Sequence, residues 1–126
     1  MPNTKAFIIA LRTRVNAILT TYYDEAPSNG ASFPYAVISG VNVSDLAMGD
    51  LALFYIDVWT DESLPDAGEQ LEEYCDTLRR ELSGAVLSVP GVFGAHIGFE
   101  KQSPVPESEY DIAHRKLSMS ARIFYN

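Results

Sequence analysis

The sequence predicts an α+β fold: a four-stranded, mainly antiparallel sheet with two helices packed on one face, in the order αββαββ. Three observations predict it. Two stretches space their apolar residues as one face of a helix does, and four stretches alternate with the two-residue period of a strand. At 126 residues and 13.9 kDa, the chain has room for one core, so residues 1–126 are expected to form a single domain.

The first helix is expected from Thr4 to about Tyr22, where Ile8, Leu11, Val15, Ile18, Leu19 and Tyr22 share a face and Lys5, Arg12, Arg14 and Asn16 lie opposite. Asp24 to Ser32 holds Pro27, Ser28, Asn29 and Gly30, all turn formers, and predicts a loop. Phe33 to Val43 predicts the first strand, with Pro34 tolerable only near its start or on an edge, since proline has no N–H for the ladder. Ser44 to Asp50, with Asp45 and Gly49, then predicts a hairpin connection somewhat longer than a tight turn. Leu51 to Thr60 follows as the second strand. Its even positions Phe54, Ile56 and Val58 are apolar, and so are Leu53, Tyr55 and Trp59 opposite, interrupted by Asp57.

The second helix has the fullest set of signals. Ser63 is a candidate cap, Pro65 suits the first turn, and Asp66 and Glu69 complement the positive helix end. Leu71, Tyr74, Cys75, Leu78 and Leu82 form its apolar stripe, Arg79 and Arg80 occupy the last turn, and Gly84 is the expected stop. After Pro90 and Gly91, Val92 to Lys101 predicts a third strand with Phe93, Ala95, Ile97 and Phe99 on one side and Gly94, His96 and Gly98 on the other. Gln102 to Glu109, with Pro104 and Pro106, predicts an exposed connection. Tyr110 to Tyr125 closes the sheet, with Leu117, Met119, Ala121, Ile123 and Tyr125 on one face.

Two helices cover one face of such a sheet and leave the other open. Leu53, Tyr55, Trp59 and Phe124 fall on the open face, and residues of this kind are enriched where proteins anchor to one another. They are therefore the candidate subunit interface, with packing under a loop as the alternative.

Composition narrows the partners. Nine Lys and Arg against seventeen Asp and Glu give a formal charge of -8, which removes the main term of non-specific nucleic-acid affinity. No sequence-specific nucleic-acid ligand is expected, and acidity suits a surface past which DNA slides. Cys75 is the one cysteine, so neither an internal disulfide nor a Cys-rich metal site is expected, which fits a reducing compartment. The N-terminal segment, broken by Arg12 and Arg14, matches neither a signal peptide nor a membrane span.

No residue pattern signals catalysis, a cofactor or a metal. Cys75 lies on a helix core stripe, where a thiol behaves as a small hydrophobe. His96 and His114 sit on different predicted strands without metal-site spacing. The pairs Asp24–Glu25, Asp61–Glu62 and Glu72–Glu73 read as solvated acids, and the glycines at 91, 94 and 98 match no phosphate loop.

The run Phe33-Pro34-Tyr35-Ala36-Val37-Ile38, followed by Phe54-Tyr55-Ile56-Asp57-Val58-Trp59-Thr60 and then an acidic helix, resembles the small tail-terminator and tail-completion proteins of tailed bacteriophages and prophages. The resemblance spans the chain from about Phe33 onward and carries no catalytic or ligand residue. It implies a virion structural protein, made in the host cytoplasm, that assembles with itself into a ring, commonly a hexamer. Such a ring sits on the tail tube, stops its growth and meets the head-tail connector. A head-tail joining or minor capsid role is the related implication. Residue chemistry alone leaves a small ligand-binding or regulatory module as the alternative, with the Gly94 to Gly98 segment admitting a metabolite. A hydrolase using His114 and nearby acids is the third reading.

Overall fold

The computed structural model describes residues 2–27, 32–61, 63, 65–106 and 112–126. The elements run α1 (Thr4–Asn16), β1 (Thr21–Tyr23), β2 (Tyr35–Leu46), β3 (Gly49–Asp61), α2 (Ala67–Leu82), β4 (Val86–Val89), β5 (Phe93–Pro104) and β6 (Ile112–Tyr125). One six-stranded sheet has the order β1-β2-β3-β6-β5-β4, with β1 parallel to β2 and every other neighbour pair antiparallel.

The expected four-stranded αββαββ sheet is therefore corrected to a six-stranded mixed one. Both additional strands are edge pieces, three and four residues long, too short to show alternation in sequence. β1 lay hidden in the first helix because Ile18, Leu19 and Tyr22 keep the helical spacing. The helix in fact ends at Asn16, whose Oδ1 accepts from the Thr21 N–H at 3.0 Å and turns the chain into the strand. β4 precedes Pro90 and Gly91; it forms a hairpin with β5, closed by the Val92 N–H donating to the Val89 carbonyl at 2.9 Å, with Gly91 at φ 79°.

Other boundaries moved as well. β2 and β3 are longer than expected and meet through Ala47 and Met48 alone, because Gly49 takes φ 136°, where any Cβ would collide with the carbonyl oxygen of Ile123. Ser63 does not cap α2: its N–H and Oγ both bind Asp61 Oδ1, at 2.9 and 2.6 Å, and hold the Asp61 carboxyl below its usual range. Asp66 occupies the cap position. Gln102 to Pro104 belong to β5, paired with β6. Residues 107–109 of that predicted connection, and residues 28–31 of the loop after Asp24, fall outside the described residues.

The core lies between the helices and one face of the sheet. Phe7, Leu11 and Val15 of α1 and Leu71, Cys75, Leu78 and Leu82 of α2 meet Ile38, Phe54, Ile56, Phe93, Ile97, Leu117 and Met119 in one buried cluster. Phe7 stands edge-on to Phe54 and Phe93, with ring centroids 6.1 and 6.0 Å apart. Fully burying side chains of this size contributes about 1.5–3 kcal/mol each. Among them the Cys75 thiol is pushed up to about 12, chiefly by burial and then by nearby Glu72. It is an inert core residue rather than a nucleophile.

Candidate functional site

Side chains alternate along a strand, so the residues between the core positions all point to the sheet's other face, which no helix covers. Cross-strand register arranges them in rows: Tyr35–Trp59–His114, Val37–Asp57–Lys116, Ser39–Tyr55–Ser118 and Asn42–Leu53–Ser120. Further along β6 come Arg122, opposite Leu51, and Phe124. The face is thus more polar than the sequence suggested, and its large apolar groups stand in three separate places.

At one end is an aromatic stack. Trp59 lies between Tyr35, centroids 5.3 Å apart, and His114 at 4.1 Å, both nearly parallel to it; Phe33 stacks on Tyr35 at 5.5 Å, and Tyr22 meets Tyr35 edge-on. Trp59 is consequently only partly exposed. Beneath the stack, Asp57 is buried, and its charge is met on three sides. His114 Nε2 donates to Oδ1 at 2.6 Å, Ser39 Oγ to Oδ2 at 3.4 Å, and Lys116 Nζ stands 4.0 Å from Oδ1. A carboxylate withdrawn from water needs such donors. Asp57 was visible in the sequence as the break in an apolar strand, but nothing there linked it to His114, 57 positions away.

In the middle of the face, Leu53 is 49% and Tyr55 40% exposed, with Lys116 Nζ 4.5 Å above the Tyr55 ring. At the far end Phe124 is 42% exposed, close to the β2–β3 turn where Met48 is 80% exposed. The β2–β3 hairpin reaches past β1, whose pairing stops at Ile38, so residues 42–46 of β2 are exposed and paired with β3 only, among the described residues. Of the four candidate interface residues, then, Leu53 and Tyr55 are adjacent, whereas Trp59 and Phe124 mark opposite ends.

Among the described residues, no group of three His, Cys, Asp or Glu side chains converges as a metal site, and no helix is long and apolar enough to cross a membrane. The space a Cβ of Gly98 would take is filled by Ser120 Oγ, so that glycine serves strand packing.

Comparison with known proteins completes the picture. Searching the curated proteins gave no match. Among solved structures, a chain of the virion of a native gene transfer agent particle is 21% identical, covers 93% of this chain and 96% of that one, and superposes with a TM-score of 0.67. A second solved chain, 10% identical, covers 100% of this chain and 99% of its own length with a TM-score of 0.73. At these identities the likenesses establish the fold. The family model described as tail completion protein gp17 matches residues 6–123, nearly the whole length. That match shows that the chain belongs to the tail completion protein gp17 family, non-catalytic structural proteins of the phage tail and virion.

Proposed function

We propose that this tail completion protein closes into a ring on the end of the tail tube, where it stops tube growth and presents a platform to the head-tail connector. Leu53, Tyr55, Trp59 and Phe124 are the proposed subunit contacts: Leu53, Tyr55 and Phe124 through their exposed surfaces, Trp59 through the part of its ring left open by the stack. The observation that carries the reading is Leu53 beside Tyr55, two large side chains about half exposed on the uncovered face of a sheet whose opposite face packs the core against the helices. Covering each would contribute on the order of 1 kcal/mol or more, repeated at every contact around a ring. The β2–β3 hairpin with Met48 at its tip is suited to reach a neighbouring subunit or the tube.

Light scattering and electron microscopy of the purified protein, alone and with tail tubes, test the proposal. Rings in solution or capped tubes support it. A protein that stays monomeric at high concentration and leaves tubes uncapped refutes it.

A further inference from the structure

A closed ring is built from one contact repeated head to tail, which joins two different patches of the same chain. The helix layer carries such a pair of patches. α1 contains Lys5, Arg12 and Arg14 and no acid, while α2 contains Glu69, Glu72, Glu73, Asp76 and Glu81 against Arg79 and Arg80. These charges do not satisfy one another within the protomer. Among the described residues, none of the three α1 cations has an ion pair, and of the α2 acids only Glu72 does, with Arg115.

Lys5, Ile9, Arg12 and Asn16 recur at helical spacing along one exposed flank of α1. Arg12 Nε reaches the Thr21 carbonyl of β1 at 3.2 Å, so the Arg12 end of this flank lies by β1, whereas the start of α1 lies toward β4 and β5, where Phe7 meets Phe93; Ile9 at the centre of the flank is 54% exposed. Lys5 occupies a first turn that lacks any acid, a position the helix dipole disfavours for a cation. On α2, Gln70, Tyr74 and Thr77 line the depression shared with Ile18 just after α1. The opposite flank carries Glu72, bonded to Gln102 of β5, and Arg79, over the Phe99 ring of β5, with Glu69 and Asp76 beside them. The helix layer therefore carries a cationic flank on α1 and a carboxylate-rich flank on α2 near β5, two different patches of one protomer.

We infer that the α1 flank of one copy docks against the α2 flank of the next, Lys5 and Arg12 facing Glu69 and Asp76 across Ile9. The partner is a second copy of this chain, and the inference rests on the ring reading above. Charge pairing of this kind sets register and speeds encounter, and it weakens with salt.

Charge reversal tests it. Lys5→Glu with Arg12→Glu makes both flanks acidic, and Glu69→Lys with Asp76→Lys makes both basic. Because Arg12 also holds Thr21, Lys5→Glu with Ile9→Glu, which breaks no protomer bond, is prepared alongside, and circular dichroism checks that each variant folds. Each reversed chain alone is expected to run as a monomer in light scattering. An equimolar mixture of an acidic-flank and a basic-flank chain is expected to regain wild-type mass by alternating around the ring. Reversed chains that assemble like wild type, or a folded mixture that stays monomeric where wild type forms rings, overturns the helix contact and leaves the ring standing. A wild-type chain that never assembles, alone or on tubes, sinks the ring and this contact together.

Discussion

The two faces of one sheet obey different rules although the same strands build both. On the helix side, Phe54, Ile56, Leu117 and Met119 are at most 1% exposed; on the other side of the same two strands, Leu53 and Tyr55 remain about half exposed among Ser118, Ser120 and Lys116. The first face is complete within the protomer and accounts for folding. The second is closely packed at its Asp57–His114–Trp59 end and more open at Leu53, Tyr55 and Phe124. The difference teaches that apolar alternation on both sides of a strand does not imply burial on both sides.

That contrast is breakable in steps of decreasing effect on stability. Phe54→Ala or Leu71→Ala, both in the helix-side core, should cost about 3–5 kcal/mol in denaturant unfolding through lost burial and a cavity. A cost below 1 kcal/mol would mean that the core is not where the structure puts it. Asp57→Ala leaves His114 buried without its 2.6 Å partner and should cost about 1–3 kcal/mol. This would assign the stacked end of the outer face to folding, whereas an unchanged melt with altered ring mass would assign it to assembly.

A smaller effect concerns pH. The Cys75 thiol is raised above its ordinary value of 9.0 to about 12, and the unfolded chain ionises it first. Its contribution is thus complete below pH 9 and declines as pH rises toward 12. Wild type should lose about 1 kcal/mol relative to Cys75→Ala between pH 8 and pH 10. Parallel pH profiles for the two proteins would remove the thiol from the core. Thiol reagents at pH 8 should label Cys75 only as fast as the protein unfolds.

Much of this was legible in the sequence, and the failures have physical reasons. α2 could be read from agreement between its stripe, its C-terminal arginines and Gly84, and the four long strands from their alternation. β1 and β4 could not, since three- and four-residue strands owe their conformation to the edges they pair with and not to a periodicity of their own. The connection between β2 and β3 was placed but read as too long, because Asp45 and Gly49 imitate loop composition while in fact pairing across the hairpin, with Asp50 and Leu46. Among the site residues, Leu53 and Tyr55 stand where alternation put them. Trp59 has company that alternation could not supply, because Tyr35 and His114 come from strands on either side, and which strands flank β3 is a matter of topology.

The central claim is that the middle of the uncovered face serves assembly and not folding. Its most direct test is paired measurement of unfolding free energy and particle mass for Leu53→Asp and Tyr55→Asp beside wild type. Both variants should melt within about 0.5 kcal/mol of wild type and fail to form rings or cap tubes under conditions where wild type does. Variants that assemble normally, or that lose stability on the scale of Phe54→Ala, would contradict it.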